Sequence, residues 1–443
     1  MVSNSRVEDH VSLHLDDKLT HLSHRHCECN IYSVYDRLRR QNEKAYEPEI
    51  LTIGPYHHHK ANRVMEDHKL WNLQQLLKRR NETSVDRYIV AMRDLQERAR
   101  RCYADSVSLN KDEFVVMMLL DSCFIIELFR KFTITSMQDG HDPLFKMEWI
   151  HHIIWRDLLL FENQLPFFIL VQLFEMTKIP DPRDNIIDLA MRYYYYTREY
   201  YYYSILPSPE KILRPSSLVL PHDVKHVLDL AHLVTSHSFA KLLAQRNLGK
   251  KEKRWEFIHC ATELHEAGIR FKKANHRTPL LDIKFVNGTL EIPQFTVEEK
   301  TECLFRNIIA HEQHLQDSNP KYVTDYLTFM FCLINSSKDV SLLRRNGIIN
   351  NMLGDDEAIC AMFTKASTCV FVSRHGFCYS EVFNDINEHC RRRWNIWTAK
   401  LRHNYFNSPW TIISFLGAVV LLLLTSTQTV FTMFPFFHKS FLS

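Results

Sequence analysis

Residues 114–129 read FVVMMLLDSCFIIELF, and this stretch decides the fold. A helix with this sequence is apolar on every side, and Asp121 and Glu127 are its only charged residues. Because it is too short to cross a bilayer, the pattern predicts a helix buried in a protein core. An unpaired buried charge costs several kcal/mol, so both carboxylates are expected to have hydrogen-bond donors close by.

A second apolar stretch, residues 157–174, reads DLLLFENQLPFFILVQLF. Pro166 cannot continue a helix that began before it but suits the first turn of a new one, so we predict two apolar helices. The break falls at residues 162–164, Glu-Asn-Gln, whose polar groups can satisfy the helix ends left open. These segments together predict a mainly α fold with one large helical body.

Composition excludes several classes of function. Lys and Arg number 55 against 52 Asp and Glu, so no global basic field exists and we expect no nucleic-acid partner. The nine glycines form neither a GxGxxG nor a GxxxxGK[ST] loop that could hold a phosphate. The eleven cysteines are scattered, and a cytosolic location would keep them reduced.

The C-terminal region carries the longest uncharged run, IISFLGAVVLLLLTSTQTVFTMF at residues 412–434. A helix rises about 1.5 Å per residue, so this run is long enough for a ~30 Å hydrocarbon core, and we predict a transmembrane helix over 411–434. A buried helix of a soluble protein is the alternative. Basic residues cluster before the run and no signal peptide is visible, which favours a cytosolic body. The expectation is a tail-anchored, single-pass protein of the plasma membrane or an endomembrane.

The rest of the chain divides by composition. We predict a mobile N-terminal segment over 1–30, a body over 31–407 and a short tail over 435–443. Within the body, sub-bodies 31–178 and 222–407 would be joined by a Tyr- and Pro-rich insertion, 179–221. The insertion contains YYYYTREYYYY at 193–203, but no basic groove accompanies it, so a solvent-facing segment or a helix on a membrane surface is favoured over RNA binding.

One β-hairpin is predicted over about residues 281–293. The Asn287-Gly288 pair is a strong signal for a type I′ turn. Closing a two-residue loop there places apolar side chains on one face and an opposite-charge pair on the other. The predicted pairs are Val286 with Thr289, Phe285 with Leu290, Lys284 with Glu291 and Ile283 with Ile292.

Histidines and cysteines supply the candidate metal ligands. Five of them crowd near the N terminus, but no second pair with fixed spacing follows, so we assign no metal site there. The triplet at 57–59 follows a Gly-Pro turn and is interpreted as a polar loop. The HEQH sequence at 311–314 lacks the spacing of an HExxH zinc motif and is interpreted as a helix surface with one inward residue. The N-terminal candidates are His21, His24, His26, Cys27 and Cys29.

Nucleophile candidates are no stronger. Ser122 and Cys123 lie within the buried apolar helix, without a base nearby in sequence and without a nucleophile elbow. Core packing is the favoured interpretation. We therefore assign no catalytic, cofactor-binding or metal-binding residues and expect no cofactor.

Nine strings occur in a fixed order from residue 31 to the C-terminal run. They are IYSVYDRLRRQNEKAYEPEILTIGPYHH, VMEDHK, VMMLLDSCFIIELF, DLLLFENQLPFFIL, TELHEAGIRFK, LLDIKFVNGTLEIP, RNIIAHEQ, the Asp339-Val340 segment and NYFNSPWTIISFLGAVVLLLLTSTQT. This order resembles the plant family called domain of unknown function 247, also uncharacterised protein family 0481. Three positions depart from its usual pattern, Val34-Tyr35 for Val-Pro, His59 for Gly and Ser122 for Gly; they alter turns or close packing.

The resemblance implies a plant origin and a C-terminal membrane segment, and it implies no reaction. Some members of the family are implicated in pollen self-incompatibility of grasses. Our leading hypothesis is a non-enzymatic, membrane-anchored protein that acts through unidentified protein partners in recognition or signalling, with no small-molecule substrate inferred. The alternative is a membrane-bound enzyme with a His or Cys site assembled from distant segments.

Overall fold

A computed structural model describes residues 9–25, 29–140, 142–201, 219–246, 254–276, 278–316, 319–367, 376–392 and 409–440. Helices dominate these residues, which confirms the mainly α prediction. The helices are α1 His10–Arg25, α2 Asp36–Arg39, α3 Arg63–Arg79, α4 Asp86–Arg101, α5 Lys111–Thr133, α6 Pro143–Lys146, α7 Glu148–Leu158, α8 Phe167–Met176, α9 Ile186–Tyr201, α10 Val227–Arg246, α11 Ala261–Glu266, α12 Thr301–Gln313, α13 Tyr322–Leu333, α14 Ser337–Arg345, α15 Asp356–Ser367, α16 Ser380–Arg391 and α17 Pro409–Ser440.

Helix α5 contains the 114–129 stretch and is the centre of the N-terminal half. A capping box starts it, in which the Asn110 side chain accepts from the Glu113 N–H and the Glu113 carboxylate accepts from the Asn110 N–H. Helices α3, α4, α8 and α9 pack around it. This surrounding explains why a helix that is apolar on every side is stable without a polar face.

The two carboxylates of α5 have the donors that their burial requires. Asp121 accepts from Lys69 Nζ at 2.7 Å and from the Gly54 N–H at 2.8 Å. Glu127 accepts two hydrogen bonds from the Arg79 guanidinium, at 2.7 and 2.8 Å. The prediction of close partners is confirmed, and these bonds tie α3 and the loop before it to α5.

The Glu-Asn-Gln corner at 162–164 lies between α7 and α8, as predicted, but α7 ends at Leu158, so residues 159–166 are not helical. Asn163 accepts from the Ile53 N–H and donates to two backbone carbonyls, Leu51 O and Asp157 O. Gln164 Nε2 donates to the carbonyls of 158 and 160, near the open end of α7. The Gln164 side-chain oxygen accepts from the Leu228 N–H at 3.2 Å, in the first turn of α10. The buried corner therefore holds the start of α10, in addition to satisfying the open helix end as predicted.

Five short strands accompany the helices, and two of them form the predicted hairpin. They are β1 Arg270–Lys273, β2 Lys284–Val286, β3 Thr289–Ile292, β4 Phe295–Val297 and β5 Ile349–Asn351. Strands β2 and β3 pair in the predicted register, and the two turn residues, Asn287 and Gly288, have φ of 49° and 71°. The parallel pairings of β1 with β3 and of β4 with β5 were not predicted.

The C-terminal helix α17 requires a correction. Within the described ranges, no helix is long and apolar enough to cross a membrane. The predicted transmembrane helix over 411–434 is therefore wrong, and so is the single-pass membrane localisation derived from it.

A contiguous hydrophobic core contains residues from Ile31 to Ile386. Tyr193 and Tyr194, at the start of the tyrosine tract, are fully buried on α9 and pack on Phe129 of α5. The side chains of 195–203 lie outside the described residues. The division of the body into two sub-bodies stays a prediction.

Candidate functional site

The N-terminal metal candidates are mostly outside the described part of the chain. His21 and His24 belong to α1, whose side chains are not described there, and His26 and Cys27 lie outside the described residues. Cys29 is half-buried, and its Sγ donates to the Arg101 carbonyl at 3.3 Å. No metal site can be built from Cys29 with the side chains that are described around it.

The triplet at 57–59 is divided by burial. His57 is buried and its Nε2 lies 3.2 Å from Glu162, the first residue of the polar corner. His58 and His59 lie in a 3₁₀ turn, His58–Lys60, on the surface. The polar-loop interpretation therefore fits the second and third histidines, whereas His57 is part of the core.

Ser122 and Cys123 are buried within α5. The Ser122 hydroxyl donates to the Met118 carbonyl at 2.5 Å, one turn back along the helix. Burial raises the pKa of the Cys123 thiol well above its ordinary value, so the thiolate that a nucleophile needs is suppressed. Both residues act as core side chains.

The HEQH sequence at 311–314 leads to the most concentrated chemistry in the described residues. His311 and Glu312 are both buried near the end of α12, so the interpretation as a helix surface with one inward residue is wrong. Asp229 and His232 face them from α10, three residues apart and thus on one side of that helix. Asp229, His232 and His311 each place one ligand-type atom within 4.8 Å of the others, and we call them the histidine cluster.

Within this cluster, His311 contacts Asp229, and their surroundings determine which of the two is charged. His311 Nε2 lies 3.0 Å from Asp229 Oδ1. Burial lowers the pKa of His311, so its imidazole is neutral at pH 7. Burial alone would raise the pKa of Asp229, but the hydrogen bonds from His311 and from the Lys225 N–H hold it well below the ordinary value. An ionised carboxylate only accepts, so the neutral imidazole donates its N–H to Asp229.

Glu312, which lies next to the cluster, joins His232 of α10 to the start of α13. His232 Nε2 lies 2.8 Å from Glu312 Oε1. Glu312 also accepts from the Val323 N–H at 3.0 Å and from the Thr324 N–H at 2.7 Å, two donors in the first turn of α13. Burial would raise the pKa of Glu312, but His232 and these donors lower it overall. Glu312 thus caps α13 and orients the His232 ring at the same time.

A cleft of about 550 Å³ opens just before the start of α10, where Val224 and Lys225 line it. Arg98 and Lys225 are exposed cations on its wall, and Phe168 supplies an apolar face on which the Arg98 guanidinium stacks at 3.9 Å. The Lys225 backbone N–H donates to Asp229 Oδ2 at 2.8 Å. Lys225 therefore connects the cleft to the cluster, although no member of the cluster lines the cleft.

A second surface feature is an apolar groove of about 190 Å³ between α3 and the segment from α6 to α7. Trp149 is 57% exposed on its edge and Val64 is 76% exposed. We call this feature the Trp149 groove. Its apolar lining includes Val64, Met65, Leu144, Met147, Trp149 and Ile150.

A buried polar network holds the Trp149 groove in shape. Asp142 is buried, accepts from Lys131 Nζ of α5 at 3.0 Å, and accepts from the Leu144 N–H at 3.1 Å. His68 of α3 lines the groove, and its Nε2 lies 3.4 Å from Asp142. Burial lowers the pKa of His68 and keeps the ring neutral at pH 7. The groove is therefore preformed.

Sequence reasoning missed both features for identifiable reasons. The D-x-x-H spacing of Asp229 and His232 is the signal that could have pointed to the cluster, because residues three apart share a helix face. Its third member lies about eighty residues away on α12, and no local pattern joins the two segments. The Trp149 groove depends on which side of α7 remains uncovered, which a local sequence pattern does not determine.

The family model described as "Plant protein of unknown function", DUF247, matches residues 31–424. Among curated proteins, the chain is similar to "UPF0481 protein At3g47200" of Arabidopsis thaliana, with 29% identity over 421 residues that cover 90% of this chain and 85% of the relative. It is also similar to "Putative UPF0481 protein At3g02645" of the same plant, with 23% identity over 499 residues that cover 93% and 91% of the two chains. No solved structure matches. The chain belongs to the plant DUF247 family, whose function is unknown.

Proposed function

We propose that this chain is a non-enzymatic recognition protein that binds a partner protein through the Trp149 groove. The observation that carries the proposal is a preformed apolar groove with an exposed tryptophan on its edge. The proposed occupant is a bulky apolar side chain, aromatic or leucine, presented by a helix of the partner.

The size and chemistry of the groove support such an occupant. A dry cavity of about 150 Å³ is enough to bind benzene, so a groove of about 190 Å³ can take one aromatic ring or one leucine. Tryptophan and methionine are enriched in protein interfaces, and Trp149 and Met147 are both exposed here. Lys131 holds Asp142, which accepts from the N–H of the lining residue Leu144, so little ordering cost would accompany binding.

Catalysis has weaker support in the described residues. Cys123 and Cys303, which are raised in pKa by burial, lack the activation that a nucleophile needs. Asp229 of the histidine cluster and the neighbouring Glu312 accept hydrogen bonds from the backbone near the starts of α10 and α13. A recognition role would use the exposed Trp149 groove, and the buried carboxylates would then serve to stabilise the fold.

The test compares three baits in plant extract by quantitative mass spectrometry. They are the wild-type chain, Trp149→Ala and the control Phe257→Ala, which removes another exposed aromatic ring that does not line the groove. We expect at least one protein that is captured by the wild type and the control but lost with Trp149→Ala. Truncating a tryptophan that is a binding hot spot costs about 2–4 kcal/mol, so the affinity of that protein should fall roughly 30- to 1,000-fold.

Two results would contradict the proposal. Equal capture by all three baits would remove the groove from recognition. Light scattering that shows a wild-type dimer and a monomeric Trp149→Ala variant would make a second copy of this chain the occupant.

A further inference from the structure

We propose that Asp229, His232 and His311 form a binding site for a divalent transition-metal ion of the zinc type, which links α10 to α12. This site is separate from the Trp149 groove and does not depend on the recognition role.

The ligand set is suited to such an ion. Imidazole nitrogen and carboxylate oxygen bind zinc at about 2.0–2.2 Å, and two histidines with one carboxylate form a common three-ligand set. Ligands around a four-coordinate zinc lie about 3.4 Å apart at such bond lengths. The three candidate atoms are already within 4.8 Å of one another, so small rotations of the side chains bring them onto one ion.

Burial and secondary structure prepare the ligands. The three residues are between 2% and 5% exposed, so their rings and carboxylate are held by packing. Asp229 and His232 project from one face of α10, and His311 comes from the facing α12. A carboxylate and a histidine three residues apart on a helix, completed by a facing helix, is the arrangement used by metal sites inside helical bundles.

Neighbouring groups supply the outer contacts that metal ligands usually have. Glu312 lies 2.8 Å from the His232 ring and is itself held by the start of α13. Ser236, one turn beyond His232 on α10, lies 3.5 Å from the same ring nitrogen. A carboxylate bonded to one ring nitrogen of a ligating histidine fixes the ring orientation and increases the basicity of the other nitrogen, which in His232 is Nδ1 and is the atom left for the ion.

No member of the histidine cluster lines the 550 Å³ cleft, and the three residues are at most 5% exposed. Lys225 lies between the cleft and the site, since it lines the cleft and its backbone N–H donates to Asp229 at 2.8 Å. An ion therefore reaches the ligands only through local opening of this part of the fold.

The test uses the full chain, stripped with a chelator and titrated with Co²⁺, whose visible absorption reports bound ligands, and with Zn²⁺ in equilibrium dialysis. The variants are Asp229→Asn, His232→Gln and His311→Gln. The matched control is His314→Gln, since His314 lies one turn beyond His311 but stacks on Tyr32 outside the cluster. We expect one metal equivalent per chain to be lost, or its affinity to fall at least about 100-fold, in each variant and not in the control.

Circular dichroism separates loss of binding from loss of fold. If one variant unfolds, the other two still decide the question, because each removes a different ligand. A wild-type chain that binds neither Co²⁺ nor Zn²⁺ would overturn the proposal. Binding that is unchanged in all folded variants would overturn it too, and would place the metal on other residues such as the N-terminal histidines and cysteines.

Discussion

Lys69→Met tests whether the buried pair under α5 is required by the fold. The Lys69 ammonium donates to Asp121 Oδ1 at 2.7 Å, to the Thr52 carbonyl at 2.7 Å and to Glu66 at 2.6 Å. Methionine keeps an unbranched apolar side chain but removes all three donors. Asp121, which is 2% exposed, then keeps only the Gly54 N–H among its described partners.

The expected loss in the free energy of unfolding follows from the groups that Lys69→Met leaves without a partner. Removing one partner of a buried ion pair costs about 3–5 kcal/mol, and the orphaned Thr52 carbonyl contributes within that range. Adding Asp121→Asn to Lys69→Met removes the unpaired charge, so we expect the double variant to recover more than about 1 kcal/mol. The control Lys178→Met removes an exposed lysine 3.4 Å from Glu175 and should cost less than about 0.5 kcal/mol.

The assay is urea unfolding at pH 7, followed by circular dichroism, with the free energy of unfolding taken from the linear extrapolation. A loss below about 1 kcal/mol for Lys69→Met would refute the reasoning, since a required buried pair cannot be that dispensable. A double variant no more stable than the single one would show that the unpaired carboxylate is not the source of the loss.

Three further predictions, tested by the same unfolding assay, concern two glycines and one buried acid. Gly54→Ala places a Cβ 2.3 Å from the Gln164 carbonyl at φ +71° and should cost at least about 2 kcal/mol, whereas Gly354→Ala, at φ +83° with open space around it, should cost only about 1 kcal/mol; equal costs would mean that the corner yields. Gly288→Val puts a β-branched residue at φ +71° in the hairpin turn and should cost on the order of 1–3 kcal/mol; unchanged stability would contradict the turn assignment. Burial raises the pKa of Asp325 to about 7, above its unfolded value, so the folded state binds the extra proton and stability falls as pH rises between about 4 and 7. Asp325→Asn should therefore be more stable than the wild type by about 2–4 kcal/mol above pH 8 and equal to it near pH 4, and a gain that does not depend on pH would contradict this.

The parts of the fold that local chemistry determines were predictable. Burial of Asp121 and Glu127 on an apolar helix required donors, and Lys69 and Arg79 supply them. The Asn287-Gly288 pair determines both the turn and the register of β2 and β3 because only one pairing satisfies both faces of the hairpin. These features depend on short segments, so a sequence pattern contains enough information for them.

The parts that depend on distant segments were not predictable in this way. Strand β5 has three residues, Ile349–Asn351, and gains its order by pairing with β4, about fifty residues earlier. The histidine cluster likewise forms only where α10 meets α12. The transmembrane prediction over 411–434 relied on the length and apolar content of one run, and within the described ranges no helix is long and apolar enough to cross a membrane.

The affinity of the purified chain for the partner selected by the three baits tests recognition through the groove most directly. Isothermal titration would compare the wild type, Trp149→Ala and Phe257→Ala under one salt concentration and at one temperature. Recognition through the groove predicts a dissociation constant at least about 30-fold higher for Trp149→Ala and a change of less than about twofold for Phe257→Ala. Equal dissociation constants for the wild type and Trp149→Ala would contradict it.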